Sequence, residues 1–134
     1  MFKKGRKKTG GRKKGTPNKK QNVIIKNLDS FEGKNVIYVF ELIMKESSQK
    51  IFKIGRTTSL KSRLKNLSSR LPFDFKLSHS IVVKKNELAF AEKTLHRYFS
   101  KSRIRLEWFS LSENDLKIIY SLSNINDIKQ LKTP

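Results

Sequence analysis

The segment from Asn35 to Ile43 constrains this chain most, because its side chains alternate as a β-strand requires. Val36, Tyr38, Phe40 and Leu42 share one face, and Ile37, Val39, Glu41 and Ile43 share the other. Glu46-Ser47-Ser48-Gln49 follows as a polar turn, and Lys50 to Ile54 supplies a return strand, so the folded part opens with a hairpin.

The period then changes. Ser59 is placed to cap a helix over residues 60–69, with Leu60, Leu64 and Leu67 as its buried stripe, and Pro72 ends that region. Leu77 to Val83 reads as a third strand, on which His79 is expected at the surface. Asn86 is expected to cap a helix reaching Phe99, whose apolar positions are Leu88, Ala91, Leu95 and Phe99. Leu106 to Leu111 reads as a short extended segment, and a helix is expected over residues 113–122. The expectation is a small α+β domain over residues 35–122, with a three-stranded, mainly antiparallel sheet flanked by helices. Residues 123–134 are expected to form a loosely structured tail.

Three polar residues fall where this pattern prefers an apolar one. Glu92 lies four residues after Leu88 and three before Leu95, inside the helix stripe. A carboxylate there needs a cation or hydrogen bonds, because burying a lone charge is costly. It is either half of a structural salt bridge or a ligand for a divalent metal. Arg63, three residues after Leu60 and four before Leu67, has the same two readings: a bridge to Glu92, or a planar fork for phosphate. Tyr38 is either a core aromatic or a functional hydroxyl. His96, one helical turn past Glu92, could assist a metal or a proton transfer, or could be satisfied by a carbonyl.

Charge narrows the partners. The formal net charge is +20, and residues 1–26 hold 11 of the 31 Lys and Arg with no acid among them. Such a segment cannot bury apolar surface, and it is expected to be a disordered arm for a polyanion. Gly5-Arg6-Lys7 and Gly11-Arg12-Lys13-Lys14-Gly15 resemble the AT-hook class of minor-groove arms, without the proline after Gly-Arg. Arg6, Arg12, Lys13, Lys14 and Lys19 are the candidate contacts, for non-specific or A·T-preferring DNA binding. The chain has no cysteine, which excludes disulfide and thiolate-zinc frameworks. It has no apolar run near the roughly 20 residues of a membrane span, and Phe2 stands where a myristoylated chain has glycine. A soluble, intracellular, DNA-associated protein is the expectation, with no membrane partner and no small-molecule cofactor. Ala89 and Ala91 are the only alanines beside abundant Lys, Ile and Asn, a bias associated with A·T-rich phage or viral genomes.

The order of these residues resembles the GIY-YIG nuclease superfamily over roughly residues 35–111. Val36-Ile37-Tyr38 stands for the first signature and Phe52-Lys53-Ile54-Gly55 for the second, with Lys53 in place of its tyrosine. Arg63 follows Gly55 by eight residues, as the family's helix-borne arginine does, and Ala91-Glu92-Lys93-Thr94-Leu95-His96 resembles the segment bearing its metal-binding glutamate. Glu107-Trp108-Phe109 is similar to the closing strand of the lysine-isoleucine-glycine branch, frequent in phages and large viruses. Ile104 sits where many members carry a supporting asparagine.

The resemblance implies a metal-dependent endonuclease that hydrolyses DNA phosphodiesters. Glu92 would hold Mg²⁺ or Mn²⁺, and Tyr38 would serve as the base, which requires its pKa to fall. Arg63, Arg56 and Lys53 would neutralise phosphoryl charge, and Gly55 would let the backbone approach the phosphate. A non-catalytic nucleic-acid-binding protein on a degenerate nuclease fold is the alternative, and RNA remains open as a partner.

Overall fold

The computed structural model describes residues 28–44 and 50–132; the basic arm and the Glu46–Gln49 turn lie outside them. The strands are β1 (Asn35–Ile43), β2 (Phe52–Thr57), β3 (Asp74–Val83), β4 (Arg103–Arg105) and β5 (Trp108–Phe109). The helices are α1 (Leu60–Arg70), α2 (Leu88–Tyr98), α3 (Glu113–Tyr120) and α4 (Ile125–Lys129). The class is α+β, but the sheet has five strands in the order β3-β1-β2-β5-β4, not three, and every pairing is antiparallel. The two extra strands come from the stretch after α2. They are too short to show a measurable alternation: β5 lies inside the expected extended segment Leu106–Leu111, while β4 precedes it, across a turn at Leu106 and Glu107.

β1 lies inside the sheet and is apolar on both faces, so both faces are covered. Val36, Tyr38 and Phe40 pack with Leu60 and Leu67 of α1 and with Phe75. Ile37 and Val39 join Phe52, Ile54, Leu88, Ala91, Leu95 and Ile119 in the larger cluster beneath α2 to α4. A bulge in the β1–β3 ladder sets Val39 against His79 but Phe40 against Leu77. Leu77 and Ile81 therefore serve opposite faces despite their equal parity. His79, in unbroken register with Ile81, faces the same side as Ile81. It is half-buried rather than at the surface, with Nε2 2.7 Å from the Leu122 carbonyl and its ring against Tyr120.

The caps decide where the helices start. Ser59 caps α1, its hydroxyl accepting from the Ser62 N–H at 3.3 Å. Asn86 does not cap α2: Lys85–Glu87 form a 3₁₀ turn, and the Glu87 carboxylate accepts from the Lys84 N–H at 2.9 Å. Two boundaries also move. Leu28 and Phe31, in a 3₁₀ turn before Asn35, pack on the α1-side cluster. The C-terminal stretch is not loose, because Asn124 caps α4 through the Asp127 N–H at 3.0 Å and Ile128 is fully buried.

Candidate active site

β2 pairs with β1 along its whole length, but with β5 only at Phe52 and Lys53. One further bond runs from the Ile54 N–H to the Glu107 carbonyl at 3.0 Å, and His96 Nε2 donates to the Ile54 carbonyl at 2.8 Å. Beyond that point β5 offers no partner to Gly55, Arg56 or Thr57. Side chains from both faces of the sheet converge on this open edge.

From the α1 side comes Tyr38, directly across the ladder from Gly55. Its phenol end lies over the glycine: a Cβ at position 55 would stand 2.4 Å from the hydroxyl and 2.6 Å from Cζ. Gly55 is therefore required by the tyrosine, not by backbone conformation. The same Cβ would meet Glu107 Oε1 at 3.1 Å, so the Glu107 carboxylate also comes to this spot. Lys53 Nζ pairs with Glu107 at 2.8 Å and lies 5.2 Å from the centre of the Trp108 ring. Lys53 is thus already neutralised in the free protein rather than held open for phosphate.

From the other face comes Glu92 on α2, with its side chain 17% exposed and Oε1 3.6 Å from Arg56 Nε. The bridge between Arg63 and Glu92 does not form; Arg56 is the partner. Arg63 is half-buried on α1, and among the described residues no carboxylate lies within ion-pair distance of it. Its charge instead favours ionisation of Tyr38. That effect is outweighed. Burial, reinforced by Glu107 and Glu92, pushes the Tyr38 hydroxyl above the ordinary tyrosine range, so the lowering expected of a general base is reversed. Glu92 is also raised, first by burial and then by Glu107, against His96, Arg56 and Lys53.

The Arg56–Glu92 contact links two grooves. One, of about 440 Å³, is lined by Arg56, Arg63, Lys85 and Asn86 among others. The second, of about 460 Å³, includes Glu92, Lys93, His96, Arg97 and Arg103. Basic residues on both sides of a carboxylate make a track suited to a phosphate backbone. Tyr38, Gly55, Arg56, Arg63 and Glu92 come together as the sequence order suggests. His96 is adjacent, but its Nε2 is engaged in closing the β2 ladder. Arg6, Arg12, Lys13, Lys14 and Lys19 lie outside the described residues. The residue that sequence reasoning missed is Glu107. Its signal was present: it is the only acid between Glu92 and Glu113, at the end of a basic run.

Residues 35–123 match the T5orf172 domain model, and the chain belongs to that family. This is a phage-associated domain of the nuclease-like group related to the GIY-YIG enzymes, and membership points to a nuclease-like or DNA-binding role. Comparison with curated proteins and with solved structures returned no match. Among the described residues no helix is long and apolar enough to cross a membrane.

Proposed function

We propose that this protein is a metal-dependent endonuclease of the GIY-YIG type, hydrolysing DNA phosphodiesters at the open edge of β2. The observation that carries this reading is Glu92, a largely buried carboxylate that lines one basic groove and contacts Arg56 of a second. A module that only binds phosphate gains nothing from a carboxylate there, since it repels the ligand.

Oxygen donors suit a hard cation, and the mutual repulsion of Glu92 and Glu107 is relieved by one. Among the described residues no group of three His, Cys, Asp or Glu could hold a metal. Glu92, with Glu107 near it, would hold Mg²⁺ or Mn²⁺, leaving the remaining positions to water and phosphate oxygens. Glu92 would thereby bring in a Lewis acid able to stabilise charge on the leaving oxygen.

The protein side chains divide the remaining work. Arg63, which pairs with no carboxylate among the described residues, takes a non-bridging phosphoryl oxygen through its planar fork. Arg56 exchanges its long contact with Glu92 for phosphate. Tyr38 is 1% exposed and stays a neutral hydroxyl, since its surroundings oppose the phenolate, so it positions this edge rather than serving as a base. Lys53 steadies Glu107, and Gly55 keeps the Tyr38 hydroxyl in place. The arm with Arg6, Arg12, Lys13, Lys14 and Lys19 tethers the domain to DNA and raises its local concentration.

The test is nicking of supercoiled plasmid with Mg²⁺ or Mn²⁺. Wild type is expected to nick, and Glu92→Gln to lose roughly 100-fold or more, at least the cost of disturbing a metal's outer ligands. Wild type that binds DNA but cuts nothing with either metal would leave the rival reading, a non-catalytic DNA-binding protein. The Lys53–Glu107 pair, and the lack of a three-donor cluster among the described residues, favour that rival.

A further inference from the structure

The hairpin joining β4 to β5 carries side chains for which the folded domain has no use. Leu106 is 67% exposed and Ile104 is 50% exposed. Leu106 also has φ 53°, and it is the one non-glycine residue at positive φ among those described. That backbone region favours glycine, asparagine or aspartate, so leucine is unfavourable there twice, in its backbone and in its exposed apolar surface. The turn is nevertheless held in place, because Arg103 Nε donates to the Leu106 carbonyl.

Its neighbours say what it faces. All of β4, Arg103-Ile104-Arg105, is exposed, so arginines alternate with apolar side chains up to the tip. The next residue, Glu107, is fixed to the candidate site through its carbonyl on the Ile54 N–H and its carboxylate on Lys53. Arg103 lines the same groove as Glu92. Basic and apolar groups in alternation beside a phosphate track are complementary to a nucleic-acid duplex. Its phosphates take the arginines, and its base stack takes apolar side chains once a step is opened.

We propose that Leu106, with Ile104 beside it, is a wedge that enters the base stack of the duplex bound at this site, while Arg103 and Arg105 hold the flanking phosphates. The proposal rests on the nucleic-acid-binding part of the proposed function. It also names a substrate class: duplexes already unstacked at a bulge or branch bind better than continuous ones, because opening the step costs them least.

The experiment uses the full chain and short duplexes with 2-aminopurine at successive positions, with and without a single-base bulge. Wild type is expected to raise the fluorescence several-fold at one or two steps and to prefer the bulged duplex. Leu106→Gly suits the left-handed backbone, so its melting temperature should equal or exceed that of wild type. It should bind continuous duplex with an unchanged salt dependence, but without the fluorescence rise or the bulge preference. An equal rise with Leu106→Gly, or wild type that binds without any rise, overturns the wedge. Wild type that binds no duplex at all removes the nucleic-acid reading, and the wedge with it.

Discussion

The two ends of β2 differ in their neighbours, and the candidate site follows from that difference. At Phe52 and Lys53 the strand lies between β1 and β5, and both Phe52 and Ile54 are fully buried in the larger cluster. At Gly55 to Thr57 only β1 remains, and there the polar groups gather: Tyr38 and Arg63 from one face, Glu92 and Arg56 from the other, Glu107 from the end of the hairpin. A sheet seals itself where a neighbouring strand continues. Ending β5 after two residues leaves an edge that elements on both faces can reach. His96 closes the last buried rung, on the Ile54 carbonyl, and charge rather than another strand guards the rest.

If the closed end is core and the open end is site, substitutions should separate stability from activity. The largest stability loss is expected for Phe52→Ala, about 3–5 kcal/mol from lost transfer free energy and the cavity left behind. Urea denaturation measures it, and a loss under about 1 kcal/mol would mean that the two ends are not different in kind. Gly55→Ala comes next. The new methyl meets an aromatic ring held by Phe40 and Leu60 rather than a flexible chain end, so overpacking should cost about 1–3 kcal/mol. It should also displace the Tyr38 hydroxyl, and nicking should fall with it. Tyr38→Phe in the Gly55→Ala background should recover part of the stability but none of the activity. Wild-type behaviour of Gly55→Ala would show that the tyrosine does not cross the glycine.

The same contrast explains what the sequence made legible. β1, α1 and the apolar stripe of α2 were readable because each repeats a period over two turns or more. Ser59 was readable as a cap because its hydroxyl has one local partner. β4 and α4 were not, and β5 was legible only as part of the longer extended segment Leu106–Leu111, since segments of two to five residues owe their conformation to what they pair with or bury, as Ile128 does. In the site, Arg63 and Glu92 were visible as charges out of place on apolar stripes. The partner of Glu92 was not visible, because Arg56 reaches it only through the sheet geometry. Glu107 escaped because its importance lies in the close approach to Gly55 and Tyr38 across separate strands. The acidity of Tyr38 was misjudged in sign for a related reason: counting nearby cations omits burial, which dominates.

The smallest expected effect tests whether Glu92 belongs to the open end as a site or as an ordinary ion pair. Its folded pKa is raised above the ordinary 4.5, by burial and then by Glu107. Between the ordinary and the raised value the folded chain binds more protons than the unfolded one, so this group's contribution to stability falls as pH rises through that window and levels off above it. Glu92→Gln carries no such charge. Relative to wild type, the variant should therefore gain stability with rising pH, as read from urea midpoints between about pH 4 and pH 8. If wild type gains on the variant instead, the contact with Arg56 outweighs burial, and the carboxylate is structural. Added Mg²⁺ provides the complementary measurement: a cation that binds the folded site stabilises it by mass action, so it should raise the wild-type midpoint more than that of Glu92→Gln. A residue that weakens the free fold at neutral pH, and stops doing so when a divalent cation is supplied, is held at that edge for the cation.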